Sequence, residues 1–392
     1  MKTTRRAVLL AAASFAVALS PLAAQAQDTT PIKVGFIDPL TGPAARIGKE
    51  NLDGVNYALD EVGGKIGSRP IQLIMADDQN SPNVGLTETR RLVESEKVVA
   101  VIGTLNSAVA LAIHPYTTRA QMPYITGGIA ADLTGAKKSP FTFRASAAAG
   151  QMEVSLATFL VRRNWKSGLL MGSDYAAGRD AVAAVGTNLK ALGGTVVEEV
   201  FPRQGETDYA PFFSRIADKK ADFVYGYFFG GDTLRYVRSY KSAGLKHPLV
   251  ITPSALSAAS VAQALAENVN GLYSLELWIW TLQDPVTKAF VEGFKKKYGG
   301  VPQTLAYDGY IKGRVLIEAL KSLNGKVESG AALAAAMKKV KFAAPGGEFQ
   351  FDANNNPIIN TYFVEWAWAN NEAVPKVLAT IPGVKQGDTP KP

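Results

Sequence analysis

The sequence predicts an α/β protein made of two units of similar size, and three observations predict it. Short β-branched runs alternate with helix-period segments along most of the chain, as parallel strands do when crossover helices cover both faces of a sheet. The alternation breaks and restarts near residue 150. The length, 392 residues, suits two domains.

In the first unit, residues 32–37 form a strand closed by Asp38-Pro39. A Gly/Pro loop at 40–43 leads into a helical pattern that runs to about Glu61 and stops at Gly63-Gly64. Residues 71–76 form the next strand. Ser81-Pro82 places a capping residue before a proline at the first helical position, opening a helix to about Glu96. A buried strand at 98–102, a helix at 106–119 and a strand at 123–126 follow.

The second unit opens with a helix at 150–163, a strand at 168–171 and a helix at 177–192 ended by Gly193-Gly194. A strand at 195–201, a helix at 209–218, a strand at 222–227 and a helix at 232–243 come next. Strands at 249–252 and 271–277 flank a short helix near 257–266. Helical patterns at 285–298 and 307–323 precede an alanine-rich helix at 330–339. A hairpin is expected at the end, with strands at 348–352 and 358–367 around a turn at 353–357. From Gly383 to residue 392 the composition predicts a disordered tail.

Composition narrows the function. Lys2, Arg5 and Arg6 precede an apolar stretch at 7–20, and Ala24-Gln25-Ala26 supplies the small-residue cleavage pattern of a secretory signal. Residues 1–26 are therefore expected to be removed, leaving Gln27 first; Arg5-Arg6 leaves twin-arginine export open. Cleavage lowers the net charge from +8 to +5. Lys295 to Lys297 and Lys338-Lys339 lie in helical patterns as solvated faces, without the basic stripe that a nucleic-acid partner needs. There is no cysteine, and His114 and His247 each adjoin a proline, which points to structural roles. The sequence holds no G-x-S-x-G elbow, H-E-x-x-H pair or P-loop. No enzyme, no metal and no cofactor are expected.

The residues also suggest a binding site. Gly103 to Ser107 joins a buried strand to a helix start, where free amides and the Ser107 hydroxyl suit an anion. A plain cap at Asn106 or Ser107 is the alternative. Gly127-Gly128 lets the backbone approach a ligand closely. Tyr225 and Tyr227 read as core residues, Phe229 at the strand exit as a cleft wall, and Trp278 and Trp280 as packing residues.

The ordered set IKVGFIDPLTGPAARIG at 32–48, VIGTLNS at 101–107, MPYITGG at 122–128, DFVYGYFFGGDTLRYVRSYKSAGLK at 222–246 and Tyr307-Asp308 resembles a known family. It is similar to the branched-chain (leucine/isoleucine/valine) amino-acid type of periplasmic solute-binding protein, which serves ABC importers. The resemblance implies a type I periplasmic binding protein, with two Rossmann-like lobes joined by a three-crossing hinge and a ligand between them. It places residues 31–144 and 277–344 in the N-terminal lobe and 145–276 and 345–382 in the C-terminal lobe, with crossings near Arg144, Glu276 and Pro345. It implies a periplasmic monomer whose partners are permease subunits in the inner membrane.

The same resemblance assigns a ligand-carboxylate contact to Ser107, beside Asn106, and backbone contacts to Gly128, Ile129 and Ala130. It places Tyr175 at the cleft and Arg46 in a loop at the cleft mouth, where a solvated charge is the competing reading. The chain departs from the family at two points: Ala130 stands where a hydroxyl is usual, and Pro253 where an acid pairs with an α-ammonium group. Because a buried unpaired ammonium is costly, the expected ligand is a small organic acid, aromatic or short-chain. A branched-chain or other hydrophobic amino acid is the alternative, with Asp174 or Glu276 as substitute acid; a sensory ligand-binding subunit is another.

Overall fold

The computed structural model describes residues 28–256 and 259–391, so the expected export signal lies outside the described residues. The first sheet contains β1 (Ile32–Asp38), β2 (Lys65–Ile66), β3 (Arg69–Asp77), β4 (Ala100–Gly103), β5 (Tyr124–Thr126) and β6 (Thr142–Arg144). Their order is β2-β3-β1-β4-β5-β6, and every pairing but that of β2 with β3 is parallel. Helices α1 (Ala45–Asp60), α2 (Pro82–Arg90) and α3 (Ser107–Arg119) make the crossovers. With both faces covered, strands such as β4 are apolar and wholly buried.

The second unit contributes α4 (Gln151–Arg162), β7 (Ser167–Gly172), α5 (Ala176–Ala191), β8 (Thr195–Val200), α6 (Ala210–Ile216), β9 (Phe223–Tyr227), α7 (Gly231–Ser242), β10 (Leu249–Ile251), α8 (Ala259–Leu265) and β11 (Leu272–Glu276). After it come α9 (Pro285–Tyr298), α10 (Thr304–Ser322), α11 (Gly330–Lys338), β12 (Lys341–Ala344), β13 (Gly347–Gln350), β14 (Ile359–Ala369) and β15 (Glu372–Val384). The second sheet runs β15-β14-β11-β10-β9-β7-β8, with β14 and β15 antiparallel to their neighbours. Helices α9, α10 and α11 return to the first core through Phe290, Tyr310, Leu316 and Met337.

Three passages join the sheets: β6 into α4, β11 into α9, and β13 into β14. Glu276 pairs with Tyr362, so β14 starts beside the carboxyl end of β11. Ala145, Leu277 and Ile359, one from each passage, line a common cavity. The carboxyl edges of the two parallel sheets therefore adjoin at these passages.

Several expectations are corrected. The predicted hairpin between 348–352 and 358–367 is reduced to its turn, where Phe351 bridges Pro357 and the Ile358 amide donates to Gln350 O at 3.0 Å; the strands on either side take other partners. Strand β13 folds back on β12, with Phe342 opposite Phe349, and β14 pairs with β15. Pro345-Gly346-Gly347 is the turn that matters, because both glycines adopt positive φ. Phe349 and Phe351 pack into the first core, so the third passage lies beyond Phe351 and not at Pro345. The tail is also ordered: β15 extends to Val384, and the Gln386 amide donates to Ala131 O at 2.9 Å. Pro375 and Pro382 hide this strand in the sequence, and β15 tolerates them because it is a sheet edge.

Candidate functional site

The first rim forms where the sheet order reverses, between β1 and β4, the usual crevice for a ligand in an open α/β sheet. Asp38 ends β1 fully buried and accepts the Leu105 amide at 3.0 Å. The Thr104 hydroxyl lies 2.5 Å from Asp78 Oδ2 and 3.2 Å from Asp38 Oδ1. Burial pushes the Asp38 carboxyl up to about 7, against the attraction of Lys312 and the Leu105 amide; Asp78 and Asp308 push the same way as burial. Lys312 itself is buried, 2.5 Å from Asp308 and 3.1 Å from Asn51 Oδ1. This polar floor sets the path of residues 104–107.

Asn106 caps α3, accepting the Ala108 and Val109 amides at 2.7 and 3.2 Å. That role belongs to Asn106, so Ser107 is released from it. The Ser107 Oγ accepts the Ala130 amide at 3.1 Å, which leaves its own proton to donate. Among the described residues, the amides of Ser107 and Ile129 have no hydrogen-bond partner.

The turn 127–130 presents its amides because its carbonyls are held from the other side. Ser146 donates to Gly127 O at 2.7 Å, and the Ala149 amide to Ile129 O at 2.8 Å. The Arg144 guanidinium donates to Gly128 O, and to Ala130 O at 2.6 Å. The Ser107–Ala130 bond therefore brings Ser107 together with the turn Gly128, Ile129 and Ala130. A side chain at Gly127 would meet Lys312 Nζ at 2.8 Å, which is why the turn needs glycine.

On the second lobe, Tyr175 does not end a strand: β7 stops at Gly172, and Tyr175 sits at the N-cap of α5. Its ring packs against the core cluster that contains Tyr227. Burial pushes both phenols up. Phe229 follows β9, meets the Tyr227 ring edge-on at 5.1 Å, and is 49 % exposed. Pro253 follows β10 half-buried. Of the substitute acids, Asp174 is taken by Arg179 at 2.7 Å, while Glu276 is fully buried at the end of β11.

Arg46 lies in the first turn of α1 at the surface, paired with Glu50. Trp278 is buried and stacks on Tyr307 at 4.9 Å, and Trp280 lies against Trp366, so both pack. His114 is buried between Thr142 and the Lys137 carbonyl, a structural tie. The sequence reading missed Thr104, Asp78, Lys312 and the role of Arg144. The signal for Arg144 was an arginine inside the apolar run Phe141 to Ala145.

A family model for periplasmic binding proteins matches residues 31–371. The chain is 28 % identical over 366 residues to the Leu/Ile/Val-binding protein homolog 6 of Brucella melitensis, covering 91 % of this chain and 93 % of that one. It is 31 % identical to an ABC transporter substrate-binding protein from Sphaerobacter thermophilus, with a TM-score of 0.86 over 91 % of this chain and 99 % of the other. A solute-binding protein of an ABC transporter from R. palustris, solved in complex with benzoate, is 28 % identical with a TM-score of 0.79, over 92 % and 98 % of the two chains.

Proposed function

Because this chain belongs to the periplasmic binding protein family, as a solute-binding protein of the branched-chain amino-acid type and not an enzyme, we propose that it captures a small aromatic or short-chain carboxylate. The observation that carries this is the asymmetry of the site. The first rim offers an anion the Ser107 hydroxyl and the unpartnered amides of Ser107 and Ile129, at the N-terminus of a 13-residue helix. The second rim has Pro253 where an acid would hold an ammonium, and presents aromatic surface instead. Ile129 and Phe229, 50 % and 49 % exposed, are the most exposed large apolar side chains among the described residues, one beyond each sheet's carboxyl edge. They serve as the apolar walls for the ligand's body. The benzoate complex of the R. palustris relative supports the same chemistry.

In this reading residues 31–144 and about 277–351 form one lobe, and residues 145–276 with β14 and β15 the other. The mature protein starts at Gln27, works as a monomer in the periplasm, and delivers its ligand to inner-membrane permease subunits. The second reading is a branched-chain amino acid, favoured by buried Glu276 as a partner for an ammonium group. Calorimetric titration of benzoate and leucine separates them. Benzoate is expected to bind at least tenfold tighter, and the reverse order would transfer the conclusion to the amino acid.

A further inference from the structure

Arg144 is fully buried, yet the described residues give it no carboxylate. Its guanidinium donates only to neutral oxygens: Gly128 O, Ala130 O, Thr134 Oγ1 at 3.0 Å and Asn356 Oδ1 at 2.9 Å. Desolvation draws the group down to about 10. Buried charges are ordinarily paired, so an unpaired arginine needs a reason. Asp132, in the turn that Arg144 bonds, is paired with Lys137 at 3.0 Å, and deeper in the lobe Asp308 is committed to Lys312 and Asp78 to Thr104.

The turn it grips supplies the reason. Gly128 C=O and Ile129 N–H belong to one peptide unit, so the guanidinium polarises that unit from behind while its amide points forward without a partner. Hydrogen bonds in such a chain strengthen one another. We infer that Arg144 is a charge-balancing and positioning residue for an anionic ligand: the ligand's carboxylate, docked on the Ile129 and Ser107 donors, is the counter-charge that the buried guanidinium lacks. This rests on the carboxylate reading of the site. It makes a negative charge on the ligand a requirement of the pocket, beyond its shape.

Calorimetric titration with benzoate tests it. Arg144→Lys, which keeps the charge, is expected to stay within about threefold of the wild type, and Arg144→Gln to lose at least about tenfold. If Arg144→Gln does not fold, Asn356→Asp gives the test with the arginine in place. A carboxylate set against the guanidinium supplies the missing counter-charge and should also weaken benzoate at least tenfold. Equal losses in the lysine and glutamine variants, or an unchanged affinity in Asn356→Asp, would reduce Arg144 to a pin for the turn and overturn the inference. A wild type that binds isoleucine instead of benzoate sinks the ligand class alone; the same variants titrated with isoleucine, which also carries a carboxylate, then decide on Arg144. A wild type that binds neither overturns both.

Discussion

Ser107 and Asn106 are adjacent, and their hydroxyl and amide both sit where a cap is needed, yet only one is used that way. Ser107→Ala is therefore expected to leave the melting temperature within a degree or two and to weaken ligand binding about ten- to a hundredfold, the cost of one hydrogen bond to a charged group. A melt beside a calorimetric titration checks this; a drop in stability with unchanged affinity would make Ser107 a cap. Asp38 carries a pH signature. Its folded carboxyl titrates near 7 against about 4 when unfolded, so the folded chain holds a proton that the unfolded chain has shed. Stability should fall as the pH rises from about 4 to about 7, by on the order of a few kcal/mol. Asp38→Asn, which keeps the acceptor for Leu105, should flatten that slope in denaturant unfolding followed across this range. In the sequence, Asp38-Pro39 showed only the end of a strand. Its neighbours Thr104, Asp78 and Lys312 arrive from other elements, and no local pattern announces them. The Ser107 to Ala130 bond is equally non-local, and a resemblance to a family was needed to bring the two together.

Helices and parallel strands were legible because their signals are local: Ser81-Pro82 opens α2, Gly193-Gly194 follows α5, and the bounds of α9 are those the periodicity predicts. Edge and hairpin elements were not. Lys341 to Ala344 alternates exposed and buried over only a short run, and β15 carries prolines that speak against a strand until its edge position is known. Close helix contacts were also invisible. A Cβ at Gly309 would lie 1.9 Å from the Asn51 carbonyl, and one at Gly54 would lie 1.9 Å from that of Ala306, so α1 and α10 touch backbone to backbone. Gly309→Ala should cost about 1–3 kcal/mol, since neither backbone can withdraw without disturbing the core between them. Equilibrium unfolding reads it, and an unchanged midpoint would mean that α10 slides freely on α1.

At the scale of the molecule, the two rims belong to separate sheets joined by three passages, and among the described residues no hydrogen bond links the first rim at 103–130 to Tyr175 or to residues 227–229. A ligand that touches both rims favours the closed arrangement by its differential contacts. The radius of gyration from small-angle scattering should fall on saturation with ligand; an unchanged radius would argue for a rigid cleft. The ordered tail would take part in such a closure. It leaves the second sheet with β15, yet Gln386 bonds to Ala131 and Thr134 in the first lobe, beside the turn that Arg144 grips. The tail is thus a fourth strap over the hinge. A fluorophore attached after Asp388 would ride on that strap and sense its slackening or tightening as the jaws move, which makes this end of the chain the natural place to wire a biosensor.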